Sequence, residues 1–313
     1  MIYVLLFIVL LVSELAYFRI ANHFNIIDKP NERSSHTRIT LRGGGIVFYV
    51  GVMLYFLLEG FQYPWFFAGL TLISFVSFAD DIRPQSTKLR LLVHFVAMAF
   101  LFYQWGLYSY PWYFTIIAIV FCTGILNAYN FMDGINGITG GYSLVVVGAL
   151  WYINSHQVVF VDTGFLFVLM LALIIFLFFN FRTKAKCFAG DVGAISVAFI
   201  LVFLLGKLII KTGDYSYLVL LAVYGVDTIL TIVHRIVLKE NIFEAHRKHV
   251  FQIMVNELKI PHVAVSSLYM ALQALIAVGL LAFSSHGYLY LSAVCVALSV
   301  VYVLFKKKYF KLH

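Results

Sequence analysis

Apolar blocks of about 17–22 residues recur along this chain, each followed by a short polar connection, and that is the length a helix needs to cross a hydrocarbon core of about 30 Å. No polar stretch is longer than about thirty residues, too short for a separate soluble domain. With 63% apolar and 12% charged residues among 313, the chain lacks the polar surface to cover a water-soluble fold. The blocks at 1–21, 43–60, 64–79, 89–105, 111–128, 138–153, 163–181, 192–210, 216–234, 263–283 and 288–305 predict an all-α polytopic membrane protein of about eleven spans. Residues 1–313 then form one integral-membrane domain embedded in the lipid bilayer.

The first block resembles a signal peptide in length. No basic stretch precedes it, Glu14 interrupts it and no small-residue cleavage site follows, so it is expected to be retained as a span. Cys122, Cys187 and Cys295 have no paired spacing and suggest neither a disulfide framework nor a zinc site. The net charge of +8 raises the question of nucleic acid. Its distribution answers with topology instead. With the N-terminus outside and the C-terminus inside, Lys207 and Lys211 are the only ones of the 22 Lys and Arg residues that fall toward the outer side. The inward segments are then 22–42, 80–88, 129–137, 182–191 and 235–262, plus the tail. No nucleic-acid partner is expected.

The inward segments hold every polar constellation of note. Asp80 and Asp81 end the third block; adjacent carboxylates near hydrocarbon call for a cation, magnesium being suited, or else form a solvated helix end. Asn127, Asn130, Asp133 and Asn136 recur every three residues before Gly134 and Gly137 let the backbone turn. Such a stripe suits the hydroxyls, amide and base edge of a nucleotide-sugar, or interhelical hydrogen bonds. Asn180 ends the seventh block. Phe188 and Asp191 open the eighth, where Asp191 is either a metal ligand or an N-cap. His246, Arg247, Lys248 and His249 read as a pyrophosphate clamp or a headgroup-contacting loop. The segment from Asp28 through Arg33, Ser34, Ser35 and His36 to Arg42 and Gly43–Gly45 joins basic and hydroxyl groups to a glycine run. Those glycines either hold phosphate at a helix start or let helices pack closely.

Taken together, the Asp-Asp pair, the NxxNxxDGxNG stretch, the GDVG stretch and the closing HRxxH resemble the polyprenyl-phosphate N-acetylhexosamine-1-phosphate transferase family, of the glycosyltransferase family 4 type. The likeness runs in order from residue 28 to residue 249, and NIFEAHRKH is most similar to the O-antigen initiating branch. The resemblance implies a bacterial inner (cytoplasmic) membrane enzyme, its N-terminus periplasmic and its active site on the cytoplasmic face. It would move a HexNAc-1-phosphate or deoxy-HexNAc-1-phosphate from a UDP-sugar to undecaprenyl phosphate, releasing UMP. It implies Mg2+, with Mn2+ as an alternative, and leaves a homodimer open.

Residue by residue, the resemblance makes Asp191 the metal ligand, with Asp80 or Asp81 approaching the metal, and Asp80, Asp81 and His249 catalytic. Arg90, Asn127, Asn130, Asp133, Asn136, Asn180, Phe188, His246 and Arg247 become substrate-binding, Phe188 by stacking on uracil. Ile39-Thr40-Leu41-Arg42, His94 and Ala194 depart from the family's usual residues without removing a charged catalytic position. A transporter or flippase of lipid-linked sugars is the rival class. It would place polar groups near the bilayer midplane and show repeated halves, whereas here they crowd at one face.

Overall fold

A computed structural model describes residues 2–30, 35–36, 38–241 and 246–309. Arg33 and Ser34 of the first inward segment, residues 242–245 of the last, and the tail beyond residue 309 lie outside the described residues.

The described chain is helical nearly throughout. In order come α1 (Ile2–His23), α2 (Ile46–Glu59), α3 (Pro64–Ile82), α4 (Thr87–Gln104), α5 (Trp112–Met132) and α6 (Ile138–His156). Then follow α7 (Thr163–Asn180), α8 (Gly190–Thr212), α9 (Ala222–Val237), α10 (Val250–Asn256), α11 (His262–Ala282) and α12 (Gly287–Lys308). Apart from the short α10, one helix falls in each predicted block, with a 3-10 turn at Tyr215–Leu221 leading into α9. Among the described residues eight helical segments are long and apolar enough to cross a membrane. Of the other three, α2 has 14 residues, α4 carries Lys88, Arg90 and His94, and α6 opens on Thr139, two glycines and Ser143.

Several helices overrun the predicted blocks at the end that carries the polar motifs. Helix α3 continues to Ile82 and α5 to Met132, while α8 begins at Gly190. Apolarity marks the part of a helix that meets hydrocarbon, whereas the backbone ladder runs on into the polar boundary. Asp80, Asp81, Asn127 and Asn130 are therefore helical residues. The all-α expectation also gains a small sheet: β1 (Ile27–Asp28) pairs antiparallel with β2 (Thr40–Leu41), and Leu41 bridges to Cys187 in parallel.

Helix α8 is the axis of the bundle. Nearly all of its residues from Val192 to Leu205 are buried, and it packs on α2, α3, α5 and α6. Near its start α2 and α8 approach backbone to backbone, with Gly44 N donating to Phe188 O at 2.9 Å and Gly45 N to Ala189 O at 3.1 Å. A Cβ on Gly45 would stand 2.3 Å from Gly193 Cα, and one on Gly193 would stand 2.7 Å from Gly45 Cα. The glycine run thus serves close helix approach, and the amides of Gly44 and Gly45 are already taken.

That geometry makes a prediction. Gly45→Ala and Gly193→Ala should each lower the thermal midpoint of the detergent-solubilised protein, at a cost of about 1–3 kcal/mol from overpacking against backbone. Gly148→Ala and Gly225→Ala, where an added Cβ meets nothing within 4 Å, should hold or raise it. Equal midpoints in the two pairs would contradict the close approach.

Candidate active site

The acidic motifs meet where α3 ends and α8 begins. Asp81 Oδ1 accepts the Asp191 amide at 2.8 Å and Oδ2 accepts the Val192 amide at 3.0 Å. Arg42 Nε lies 2.6 Å from Oδ1, and the Asp81 side chain is 0% exposed. A carboxylate from one helix thereby satisfies free amides in the first turn of another, at the positive end of its dipole. The capping role is Asp81's, while the Asp191 side chain accepts from Arg42.

Asp191 is left facing the cavity. Its Oδ1 accepts Arg42 Nη2 at 3.2 Å, and its carboxyl is within hydrogen-bonding reach of Asp80. Asp80 accepts the Gln85 amide at 2.6 Å and lies 3.4 Å from Arg90 Nη1. Two carboxyls in contact are held together by a shared proton or by a cation. Among the described residues no three His, Cys, Asp or Glu side chains converge to hold a metal ion. A hard cation that takes one or two carboxylates, with phosphate oxygens and water completing its shell, needs no such cage. Asp191 and Asp80 fit that requirement, whereas the oxygens of Asp81 are occupied.

A cavity of ≈ 380 Å³ extends from this cluster. Asp191, Gly190 and Arg42 form one part of its wall; Asn130, Asp133 and Asn136 form another, with Phe188 and Asn180. Burial pushes the half-buried Asp133 carboxyl up to about 7, with the nearby Asp81 charge adding to the shift. Asn136 Nδ2 donates to Arg182 O at 2.6 Å, while its buried Oδ1 has no partner among the described residues. Asn180 is mostly a tie: Oδ1 accepts Gly137 N at 2.6 Å and Nδ2 donates to Cys187 O at 2.7 Å. It holds the loop after α5 against the loop before α8, so Asp133 and Phe188 face one space. The Phe188 ring packs edge-on against His36, centroids 4.7 Å apart.

Asn127 does not join this wall and is exposed. Steps of three residues fall about 60° short of a full helical turn, and α5 stays helical to Met132, so the stripe rotates away.

The histidine motif divides. His249 is 1% exposed and does not line the cavity. It caps α10 together with Gln252, and its Nδ1 lies 3.4 Å from Asp227 Oδ1. Asp227 also accepts Val250 N at 3.2 Å, Thr231 Oγ1 at 3.2 Å and Tyr269 OH at 2.8 Å. His249 therefore positions its loop and meets residues that do line the cavity: His246, whose ring centroid is 5.0 Å away, Gln252 and Phe131. His246 does line the cavity, and burial, with cationic neighbours, holds its imidazole down to about 3, neutral near pH 7. Arg247 opens on an adjacent depression that shares Ser35, His36 and His262 with the cavity.

Sequence reasoning did not single out Asp227, Gln252 or His262. His262 starts α11, with Nε2 2.9 Å from Ser35 O, and lines the cavity beside Gln252. Its one signal is a polar residue at the inner end of an apolar block, and that of Asp227 is a carboxylate inside one.

Residues 63–209, which include Asp80, Asp81, Asp133 and Asp191, match the family described as glycosyl transferase family 4. The chain is 27% identical over 259 residues to the probable undecaprenyl-phosphate N-acetylglucosaminyl 1-phosphate transferase of Bacillus subtilis (strain 168), covering 74% of this chain and 70% of the relative. It is similar to the undecaprenyl-phosphate alpha-N-acetylglucosaminyl 1-phosphate transferase of Yersinia pestis, 27% identical over 206 residues, 60% of this chain and 56% of the relative. The protein of that name in Escherichia coli (strain K12) is 23% identical over 298 residues, 86% of this chain and 79% of the relative. The Asp-Asp pair, the DGxNG turn and the GDVG helix start, gathered around one cavity, all fall inside the region that matches glycosyl transferase family 4.

Proposed function

We propose that the protein transfers an N-acetylhexosamine 1-phosphate from a UDP-sugar to undecaprenyl phosphate, at the cytoplasmic face of a bacterial inner membrane. The observation that carries this reading is the Asp80–Asp191 pair, flanked by Arg42 and Arg90, at the edge of a cavity lined by amides and an aromatic ring. The names of the similar proteins support the lipid acceptor. The clustering of Lys and Arg at the site's end supports the cytoplasmic orientation.

In the reaction, an oxygen of the lipid phosphate attacks the β-phosphorus of the UDP-sugar. The bond from that phosphorus to the oxygen bridging to the α-phosphorus breaks, and UMP departs with the electron pair. The acceptor phosphate is already ionised near pH 7, so no base is required. The obstacle is the crowding of anions, and Arg42 and Arg90 lie where they neutralise it. Asp191, with Asp80 beside it, would hold a magnesium ion, which would supply further positive charge to the pyrophosphate oxygens. Asn130, Asp133 and Asn136 offer hydrogen bonds to the donor, and Phe188 offers a stacking surface. His246, neutral in the free protein, contributes a hydrogen bond rather than a charge.

Membrane vesicles test both reaction and orientation. Inverted vesicles carrying the protein should release UMP from UDP-N-acetylglucosamine above the host background, dependent on magnesium and undecaprenyl phosphate; sealed right-side-out vesicles should not. Asp191→Asn should lower the rate at least about a hundredfold, as loss of a major electrostatic contributor does. Release that needs no lipid phosphate, or equal rates in both vesicle types, would refute the proposal.

Asp133 supplies a pH test. Its folded pKa, raised to about 7 by burial, lies above the ordinary value of 3.8, so the folded state holds the proton more tightly. The stability this contributes is present below the unfolded pKa and is lost as pH rises toward and through 7. The thermal midpoint of the substrate-free protein should therefore fall from pH 5 to pH 8, and Asp133→Asn should flatten that slope. An identical slope in the variant would remove Asp133 from the account.

A further inference from the structure

A groove of ≈ 610 Å³ runs between α9 and α12 at the basic end of the bundle, lined by Leu230, Val233, Val237 and Val303 together with His234, Lys306 and Lys307. It shares no lining residue with the catalytic cavity. Lys306 is only 4% exposed. Its Nζ donates to Lys248 O and lies 5.5 Å from the centroid of the Tyr302 ring. Among the described residues no ion pair joins Lys306 to a carboxylate.

The nearby acids are already engaged. Glu240 pairs with Arg235 and Lys248, and Asp227 accepts from four donors. A buried cation beside hydrocarbon is costly unless an anion compensates it. Among the described residues, the groove thus combines apolar walls open to lipid with a buried lysine that forms no ion pair, at its polar end.

We propose that this groove binds one anionic glycerophospholipid, its phosphate against Lys306 and Lys307 and an acyl chain along Leu230, Val233, Val237 and Val303. The reacting polyprenyl phosphate is a poorer occupant, because its phosphate must reach Asp191 and Arg42, which line a separate cavity. General attraction of basic loops to anionic headgroups acts on exposed lysines such as Lys308 and needs no buried ammonium. The bound lipid would also steady the histidine loop. Lys306 holds the Lys248 carbonyl, and Tyr302 OH lies 3.0 Å from Thr231, which donates to the same Asp227 that holds His249.

Native mass spectrometry of the full chain in neutral detergent tests this, with phosphatidylglycerol, phosphatidylcholine and undecaprenyl phosphate as probes. One phosphatidylglycerol should be retained in preference to phosphatidylcholine, and added undecaprenyl phosphate should leave it in place. Lys306→Met should weaken retention about fivefold or more, the loss expected for one cationic contact at a membrane surface, and Lys306→Arg should keep it. Val233→Trp fills the groove without changing charge; it should also release the lipid, and it decides the matter if Lys306→Met does not fold. Equal retention of the two phospholipids, retention unchanged in both Lys306→Met and Val233→Trp, or displacement by undecaprenyl phosphate would overturn the proposal.

Discussion

The site depends on one carboxylate at the start of one helix. Asp81 accepts the amides of Asp191 and Val192, and in the same contact it fixes Arg42, which spans Asp81 and Asp191. Amides in the first turn of a helix have no intrahelical partner, and a helix start enclosed by protein needs acceptors from elsewhere. Asp81 supplies them across the α3–α8 seam. It thereby sets the height of Asp191, which lines the cavity, relative to Asp80 at the cavity's edge.

The rest of the site hangs on that seam. The close passage of Gly45 over Gly193 brings β2 beside Cys187, which orients Phe188 and Arg42 toward one space. Asn180 ties the loop after α5 to the same segment through the Gly137 amide and the Cys187 carbonyl. On the opposite wall Asp227 performs an analogous task, gathering α9, the start of α10 and α11 so that His246 reaches the cavity. Both anchors are buried acids whose oxygens are used up by neighbours. The acids left with access to the cavity, Asp28, Asp133 and Asp191, are those suited to ligands.

Much of this was legible in the sequence. The blocks each became a helix, and the four acidic and amide motifs came to one end, because hydrocarbon thickness sets block length and polar motifs cannot sit in lipid. The division of labour was not legible. Asp80 and Asp81 are adjacent and chemically alike, but successive helical residues point about 100° apart, so one meets the α8 amides and the other faces Arg90. Asn127 fitted a three-residue spacing that the continued helix turned outward. His249 and His246 were both candidates for phosphate, and the tertiary contact with Asp227 buried one of them. Gln252 carries no local signal and His262 only its place at the end of an apolar block, because they reach the cavity through the way α10 and α11 fold back over the loop after α5.

The central claim is that Asp81 builds the site while Asp191 acts in it. Thermal unfolding of Asp81→Asn and Asp191→Asn in the same detergent separates the two roles. Losing the charge that receives two amides and an arginine should cost Asp81→Asn about 1.5–3 kcal/mol and lower its midpoint by several degrees. Asp191→Asn, which relieves a contact between two carboxyls, should match or exceed the parent midpoint. An Asp81→Asn protein as stable as the parent, or an Asp191→Asn protein that unfolds earlier than Asp81→Asn, would contradict the account.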